Sequence, residues 1–377
     1  MKIVEVFDAP SVNPYFSYIH RPMALRRALR EAGVEFEDIW LWDYPHKRPA
    51  IRRLRNAPLI RERLKGADLI IGNQSVGAAT AGLAARGLGI PVVFDVHTLW
   101  APEAKAVWKV APSRRNFVDY LMAAWVEPIA RRHADHFLVV SNVARRHYES
   151  KGVPPERITL VRNGIEPELF PFTPLPPEGK RRIVYGGAMQ DYQGIPFLTG
   201  AFAELVRRKP ELPLELYLVG FGRDQAKRRE WCENVGGGRI LTHGYAPREQ
   251  FIAELQTAHW GTLAFPPVVT RLRRDAFPYK YAEYIALGRP VVMTDSNETA
   301  DFCREYETGI VVPATHEDLM QGYERAASTP RAEMEAMAER GRRLVESQMT
   351  WAHMQAAMYE GFKKVGVDVT SFVERQV

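Results

Sequence analysis

The pattern of apolar and polar positions along the chain alternates between short apolar runs and longer amphipathic segments. Short runs such as Lys2–Phe7 and Leu214–Val219 are typical of buried strands. Longer segments such as Ile195–Arg208, with apolar residues at helical spacing, are typical of helices. Short strands separated by helices predict parallel sheets with helices on both faces.

The pattern occurs twice along the chain. In the first half the predicted strands are Lys2–Phe7, 36–41, 68–72, 91–96, 136–141 and 158–161, and the predicted helices are 22–32, 76–87, 115–133 and 143–151. In the second half the predicted strands are 182–185, Leu214–Val219, 239–241, 260–265, 290–294 and Gly309–Val312, and the predicted helices are Ile195–Arg208, 224–234, 248–257 and 281–287. Such a chain is predicted to be an α/β protein with two tandem Rossmann-like, doubly wound domains that face a cleft. Ligands of such sheets bind beyond the carboxyl ends of the strands.

A cluster of prolines separates the two patterns. Its members are Pro167, Pro171, Pro174, Pro176 and Pro177. We therefore predict a linker over residues 167–179, between a first domain over 1–166 and a second domain over 180–350. The length of 377 residues also favours two cores over one. Residues 351–377 are predicted to form a helix that crosses back to the first domain.

Composition indicates a globular protein of a reducing compartment. Hydrophobic residues make up 46% of the chain and charged residues 25%, and there are only two cysteines, Cys232 and Cys303. The chain begins with an apparent strand instead of a signal peptide, and no apolar run is long enough to span a membrane. We expect a cytoplasmic protein.

The net charge of +6 is concentrated in one basic segment between Lys47 and Lys65. Its cationic residues are Lys47, Arg48, Arg52, Arg53, Arg55, Arg61, Arg63 and Lys65. The segment is interpreted either as a solvated face or as a peripheral contact with an anionic membrane or a phosphorylated acceptor. A nucleic-acid partner is not expected, because no zinc-finger spacing or RNA-binding signature accompanies it.

The motifs of several enzyme classes are absent from the sequence. It contains no Gly-x-Ser-x-Gly, His-Glu-x-x-His, P-loop or Asp-x-Asp motif, and Gly220-Phe221-Gly222 lacks the third glycine of a dinucleotide fingerprint. Dehydrogenase, P-loop NTPase and metalloenzyme functions are therefore disfavoured. We expect neither a metal nor a cofactor.

The stretch from Asp275 to Glu283 carries the most specific chemistry. Two carboxylates flank Pro278 and Lys280 at the start of a predicted helix. A helix start favours anions, and carboxylates accept hydrogen bonds from hydroxyls. The combination suits a ligand with both phosphates and hydroxyls, such as a nucleotide sugar.

An ordered series of landmarks accompanies this stretch. The landmarks are Asp95-Val96-His97, Ser141, Asn163-Gly164-Ile165-Glu166, Gly186-Gly187 with Gly194, Gly220-Phe221-Gly222, Gly244-Tyr245, and Gly288-Arg289-Pro290-Val291-Val292. In this order they resemble the GT-B nucleotide-sugar glycosyltransferases, specifically the retaining glycosyltransferase family 4. The resemblance implies a metal-independent hexosyltransferase that uses a UDP- or GDP-sugar and a glycan, lipid-linked or small-molecule acceptor.

The resemblance also implies that the domain over 1–166 binds the acceptor and that the domain over 180–350 binds the nucleotide sugar. It further implies roles for individual residues. The implied catalytic residues are Asp275, His97 and Lys280. Glu283 would bind the ribose, and the other donor-binding residues would be Gly187, Ala188, Arg274, Pro278, Tyr279, Gly222 and Tyr245. Candidate acceptor-binding residues in loops at the strand ends are Tyr15, His20, Arg21 and Trp100.

The sequence departs from the family pattern at the phosphate-binding positions. Asp275 stands where glutamate is usual, and Ala188 and Gln193 stand where the family often has cations. Lys280, alone or with Arg274, is the expected substitute. Two alternatives remain open: an epimerase or phosphorylase of the same fold, and a two-domain sugar-binding protein without catalysis.

Overall fold

The computed structural model describes residues 1–9, 20–110, 112–189, 193–220, 225–267 and 276–370. The chain divides into two compact units. Unit 1 comprises Met1–Asn163 and Trp351–Val377, and unit 2 comprises Gly164–Thr350. Each unit has its own parallel sheet and its own core.

The sheet of unit 1 contains six described strands in the order β2-β1-β3-β4-β5-β6, all parallel. The strands are β1 Lys2–Phe7, β2 Glu35–Trp40, β3 Leu69–Asn73, β4 Val92–Val96, β5 His136–Val139 and β6 Ile158–Leu160. The helices are α1 His20–Glu31, α2 Ala57–Leu64, α3 Gln74–Ala85, α4 Trp100–Val110, α5 Arg114–His133 and α6 Asn142–Ser150. A 3-10 segment, Ala50–Asn56, precedes α2.

The sheet of unit 2 contains six described strands in the order β12-β11-β10-β7-β8-β9, again all parallel. The strands are β7 Arg181–Gly186, β8 Leu214–Val219, β9 Ile240–His243, β10 Trp260–Leu263, β11 Val291–Thr294 and β12 Gly309–Val312. The helices are α7 Ile195–Arg208, α8 Gln225–Val235, α9 Arg248–Gln256, α10 Tyr279–Ala286, α11 Glu298–Glu305, α12 His316–Ser328 and α13 Arg331–Gln348. The prediction of two Rossmann-like α/β domains is confirmed.

The last helix, α14 (Trp351–Lys363), belongs to unit 1. Its Met354, Met358 and Phe362 lie in the same hydrophobic cluster as Ile3 of β1 and Leu25 of α1. Val4 and Val6 of β1 face the opposite cluster, because neighbouring residues of a strand point to opposite faces. The sheet of unit 1 is therefore covered on both faces.

The proline-rich stretch is fixed within unit 2 by two arginine side chains. Arg289 is fully buried, and its guanidinium donates to the Thr173 carbonyl at 2.9 Å and to Thr173 Oγ1 at 2.6 Å. Arg331 donates to the carbonyls of Leu175 and Pro176. Burial lowers the pKa of Arg289 to about 10. The boundary between the units lies between Asn163 and Gly164.

The basic segment folds into the 3-10 segment and α2, and several of its cations serve internal contacts. Arg53 is buried and pairs with Asp8 at 2.5 Å. Arg61 donates to the Ala84 carbonyl at the end of α3. Arg63 pairs with Glu37 of β2. Much of this positive charge therefore ties surface elements of unit 1 together.

Among the described helices, none is both long enough and apolar enough to cross a membrane.

Candidate active site

Two glycine turns meet where β7 and β8 end in unit 2. The Gly187 N–H donates to the Val219 carbonyl at 2.8 Å. Gly187 has φ +128° and Gly220 has φ +147°, a region that L side chains rarely adopt. A Cβ on Gly220 would lie 1.8 Å from the Gly187 carbonyl oxygen. Both positions therefore require glycine. We call the closely packed backbone of Gly187 and Gly220, at the carboxyl end of the sheet, the glycine edge.

Lys280 extends from the first turn of α10 to this edge. A Cβ on Gly187 would lie 2.6 Å from Lys280 Cε and 3.2 Å from Nζ. The Lys280 Nζ also lies 5.6 Å from the centroid of the Tyr185 ring. The Tyr185 hydroxyl donates to the Ala188 carbonyl at 2.8 Å. The structure thus places the Lys280 side chain against Gly187 and near the Tyr185 ring, whose hydroxyl is hydrogen-bonded to Ala188.

Glu283 lies one turn after Lys280 on α10 and is only partly exposed. Burial raises the pKa of its carboxyl group, and the positive charges of Lys280 and Arg248 partly oppose that rise. Within the described part of the chain, no side chain donates a hydrogen bond to the Glu283 carboxylate. A carboxylate in this state is suited to accept hydrogen bonds from ligand hydroxyls.

The start of α10 is capped by Pro278, which makes no side-chain hydrogen bond to the helix. The first N–H groups of a helix point away from its body and give this end a partial positive charge. Pro278 fixes φ at −65° before Tyr279, the first helical residue. The helix start and the Lys280 ammonium therefore place positive charge beside the glycine edge of β7.

Several predicted site residues lie outside the described residues. They are Tyr15, Gly222, Arg274 and Asp275, and the side chain of His20 also lies outside. Their assigned roles remain predictions. Tyr245 follows β9 and is 53% exposed.

In unit 1, Asp95 connects His97 to a buried arginine. Asp95 is at the carboxyl end of β4, and its Oδ2 lies 2.9 Å from His97 Nε2. The Arg21 Nε donates to both carboxylate oxygens, at 3.0 and 2.9 Å. Arg21 Nη1 donates to the Val161 carbonyl at 2.8 Å. The histidine ring is therefore held by a fixed anion.

The charge on Asp95 is stable because its partners outweigh its burial. Burial raises the pKa of this carboxyl group, whereas the positive charge of Arg21 and the contact with His97 lower it to about 2. Asp95 is thus ionised at neutral pH. It favours a proton on the His97 nitrogen that faces it.

Two acceptor-binding predictions need correction. Arg21 lies within α1, not in a loop, and is only 1% exposed. Its guanidinium is committed to Asp95, so it positions His97 and cannot contact an acceptor. Trp100 also lies in a helix and not in a loop, as the first residue of α4. It packs against the core of unit 1 but stays partly exposed, so only its predicted position in a loop was wrong. Neither location could be predicted, because a sequence does not show which charged or aromatic side chain finds a buried partner.

Two supporting residues escaped the sequence analysis. The Tyr284 hydroxyl accepts a hydrogen bond from the Gly186 N–H at 2.8 Å and fixes the end of β7 to α10. Arg248 at the start of α9 adds positive charge near Glu283. Tyr284 could have been noticed in the sequence, since it is an aromatic residue directly after Glu283. Nothing in the sequence pointed to Arg248.

The replacement Gly187→Ala is expected to reduce activity by displacing Lys280. The added Cβ would overlap Lys280 Cε, and the flexible lysine must move away from the glycine edge. The unusual φ should also cost about 1–3 kcal/mol of stability. Gly179→Ala is the matched control, because Gly179 has φ +152° and a Cβ there would meet nothing within 4 Å. Equal catalytic rates in the two variants, measured below both melting temperatures, would show that the position of Lys280 beside Gly187 does not matter for activity.

The described residues include no group of three or more His, Cys, Asp and Glu side chains arranged to hold a metal ion. In unit 2 the candidate polar groups are a lysine, a carboxylate and backbone amides, and in unit 1 they are a histidine and the Asp95 carboxylate that holds it.

Comparison with known proteins identifies the family of the chain. The model of glycosyltransferase family 4 matches residues 15–169, and the model of glycosyl transferases group 1 matches residues 180–328. A D-inositol 3-phosphate glycosyltransferase from Rhodococcus erythropolis is 22% identical over 298 residues, which are 74% of this chain and 64% of that protein. The matched region thus spans less than two thirds of the relative.

Solved structures show the same fold. Sucrose-phosphate synthase from Thermosynechococcus elongatus superposes with a TM-score of 0.78 at 18% identity, covering 97% of this chain and 99% of the other. Anabaena HepE, solved in complex with UDP and glucose, superposes with a TM-score of 0.71 at 14% identity, covering 96% and 99%. With both halves matched by family models and both sheets matched in space, the chain belongs to the GT-B glycosyltransferases of family 4 and group 1.

Proposed function

We propose that the protein transfers a hexose from a UDP- or GDP-sugar to a glycan, lipid-linked or small-molecule acceptor. We further propose that transfer retains the anomeric configuration and needs no metal ion. The observation that carries the proposal is the contact of Lys280 with the Gly187 edge, one helical turn from the Glu283 carboxylate. UDP and glucose in the related fold of HepE support the choice of donor class.

The diphosphate would be bound by Lys280, the start of α10 and the backbone around Gly187. Negative charge grows on the leaving diphosphate as the bond to the anomeric carbon breaks. Without a metal, this charge is stabilised by fixed cations and backbone dipoles. Because Ala188 and Gln193 carry no charge, the Lys280 ammonium has the larger share, with Arg274 as its proposed partner.

Glu283 would accept hydrogen bonds from the ribose hydroxyls. Its carboxylate has a raised pKa in the free protein because burial disfavours its charge. Two hydroxyl donors would stabilise the charged form, so binding of the donor and ionisation of Glu283 should favour each other. Tyr245 is proposed to contact the base.

Asp275 and His97 are proposed to contact the transferred sugar. The Asp95 carboxylate orients the His97 ring and holds a proton on the facing nitrogen, leaving the other ring nitrogen for the sugar. Retention is proposed to occur by attack of the acceptor on the same face as the departing diphosphate. In that step the acceptor oxygen bonds to the anomeric carbon, the phosphate leaves, and a phosphate oxygen takes the acceptor's proton.

Tyr15 and His20 remain the proposed acceptor contacts, together with the partly exposed Trp100. A peripheral contact of the basic segment with an anionic membrane is also retained, through its exposed residues Lys47, Arg52 and Arg55. Both cysteines are buried and neither forms a disulfide bond, which suits the proposed cytoplasmic location.

The affinity for UDP-glucose is expected to fall with decreasing pH more strongly than in a variant without the Glu283 carboxylate. Below the raised pKa of Glu283 the carboxyl group is protonated and loses acceptor strength, so affinity should fall by up to about tenfold per pH unit. Glu283→Gln should bind UDP-glucose weakly and without this pH dependence. Titration calorimetry from neutral to mildly acidic pH measures both. UDP-glucose is the suitable probe because its diphosphate does not titrate near neutral pH.

The exposed Glu305 of α11 supplies the control Glu305→Gln, which should keep the wild-type profile. An unchanged profile in Glu283→Gln would contradict the ribose contact. No binding of any UDP- or GDP-sugar would overturn the proposed transferase. Binding of free glucose without nucleotide would favour a sugar-binding protein, and conversion of the donor without an acceptor would favour an epimerase.

A further inference from the structure

The outward face of α5 carries a row of large apolar side chains. Its members and their exposed fractions are Phe117 39%, Val118 40%, Leu121 40% and Trp125 67%. Their spacing places them on one face of the helix. The opposite face, with Ala123, Val126 and Ala130, is buried in unit 1. We call the four exposed residues the α5 stripe.

The neighbouring helix enlarges the stripe. Trp108 of α4 packs on Phe117 with ring centroids 4.9 Å apart and stacks on Tyr120 at 5.7 Å. Isolated exposed apolar residues are normal on protein surfaces, but a contiguous patch marks a site of interaction. The α5 stripe is such a patch, and its bulky aromatic residues stand at its two ends.

Positive charge surrounds the stripe. Exposed cations on α4 and α5 are Lys105, Lys109, Arg114, Arg115 and Arg132. The acids of these two helices are fewer, namely Glu103, Asp119 and Glu127, and Glu127 is buried against His147. The 3-10 segment Ala50–Asn56, with the exposed Arg52 and Arg55, packs against α5. Cations therefore lie at both ends of the stripe and beside it.

We propose that the α5 stripe docks on an anionic lipid bilayer, with α5 lying in the plane of the surface. An apolar face with tryptophan and a basic border is the pattern of an interfacial helix, in which aromatic and aliphatic groups enter the headgroup boundary and cations meet anionic lipids. A second copy of this chain is disfavoured as occupant, because the basic borders would repel each other. The contact is peripheral and places unit 1, not unit 2, on the membrane.

The test is co-sedimentation of the full-length protein with phosphatidylcholine vesicles that contain or lack phosphatidylglycerol. The wild type should sediment with the anionic vesicles and remain largely in the supernatant with pure phosphatidylcholine. Leu121→Asp should weaken binding by at least about tenfold, since it puts a charge into the apolar contact. Arg114→Gln and Lys109→Gln should each weaken it by about fivefold, the loss expected for one cation near an anionic surface.

Leu241 of β9 provides the matched control, because it is 36% exposed in unit 2 against 40% for Leu121. Leu241→Asp should bind vesicles as the wild type does, and circular dichroism should show that both variants are folded. Failure of the wild type to sediment with anionic vesicles would overturn the proposal, and so would equal losses in the two aspartate variants. Light scattering that shows a dimer disrupted by Leu121→Asp, without vesicle binding by the wild type, would identify the stripe as an interface between copies instead.

Discussion

Replacing Arg21 by methionine is expected to lower the free energy of unfolding by about 3–5 kcal/mol at neutral pH, because it leaves the Asp95 carboxylate buried without its cation. The side chains of Arg21 and Asp95 are 1% and 2% exposed, so water cannot replace the lost partner. Methionine retains much of the length and volume of the arginine stem, which limits the contribution of a cavity. Denaturant unfolding followed by circular dichroism measures the loss.

The pH dependence of this loss distinguishes an electrostatic cause from poor packing. In the wild type the pKa of Asp95 is lowered to about 2, so its stabilisation is present above the ordinary pKa and is lost as the pH falls through about 2. Without Arg21, burial should raise this pKa above its ordinary value. The variant should then lose stability as the pH rises through the raised pKa. The difference between the two proteins should therefore be largest at neutral pH and shrink towards pH of about 4.

Arg27 on the same helix supplies the control. It pairs with Glu31 at 3.7 Å, and both side chains are largely exposed at 60% and 71%. Arg27→Met should cost less than about 1 kcal/mol, as is usual for surface pairs. Similar losses in the two variants, or a loss in Arg21→Met that does not change with pH, would contradict the role assigned to the buried pair. His97 should also lose its fixed orientation, which the NMR chemical shifts of its ring would detect.

The strands of both sheets could be predicted from the sequence because a buried strand requires a run of apolar residues, which is visible locally. The runs Lys2–Phe7, Leu214–Val219 and Gly309–Val312 have the predicted bounds, since a strand covered on both faces is mostly apolar. Helix α2 was missed because its segment was interpreted by charge. Arg61 and Arg63 looked like solvent-exposed cations, yet each has a partner from a distant part of the chain.

In the candidate site, too, the residues with a local motif could be predicted, and the contacts between distant residues could not. Lys280 and Glu283 could be identified from one short stretch and its resemblance to a family. The contact of Lys280 with Gly187 could not, because it depends on how β7 lies beside β10 and how Tyr284 joins α10 to the end of β7. Arg21 was misassigned for a related reason: its partner Asp95 is 74 positions away. Pairing over such distances is decided by topology, which local patterns do not contain.

Lys280→Met is expected to lower the catalytic rate by about a hundredfold, equivalent to about 3 kcal/mol of lost transition-state stabilisation. The ammonium is placed against the glycine edge where the leaving diphosphate is proposed to bind. Its charge matters most when the phosphate becomes more negative, so kcat should fall more than KM rises. Release of UDP from UDP-glucose, with water or an added acceptor as the second substrate, measures the rate.

The same change should alter the donor-binding pH profile through Glu283. Lys280 is the first of the cations that oppose the burial-induced rise in the pKa of Glu283. Its removal should raise that pKa further, so that the affinity for UDP-glucose begins to fall at a higher pH than in the wild type. Lys209→Met is the control, because this lysine pairs with Glu324 on the surface of unit 2. A Lys280→Met enzyme with the wild-type rate would show that the diphosphate binds elsewhere. A lowered rate with an unshifted pH profile would separate the phosphate role of Lys280 from its influence on Glu283, and would contradict the coupling between the two.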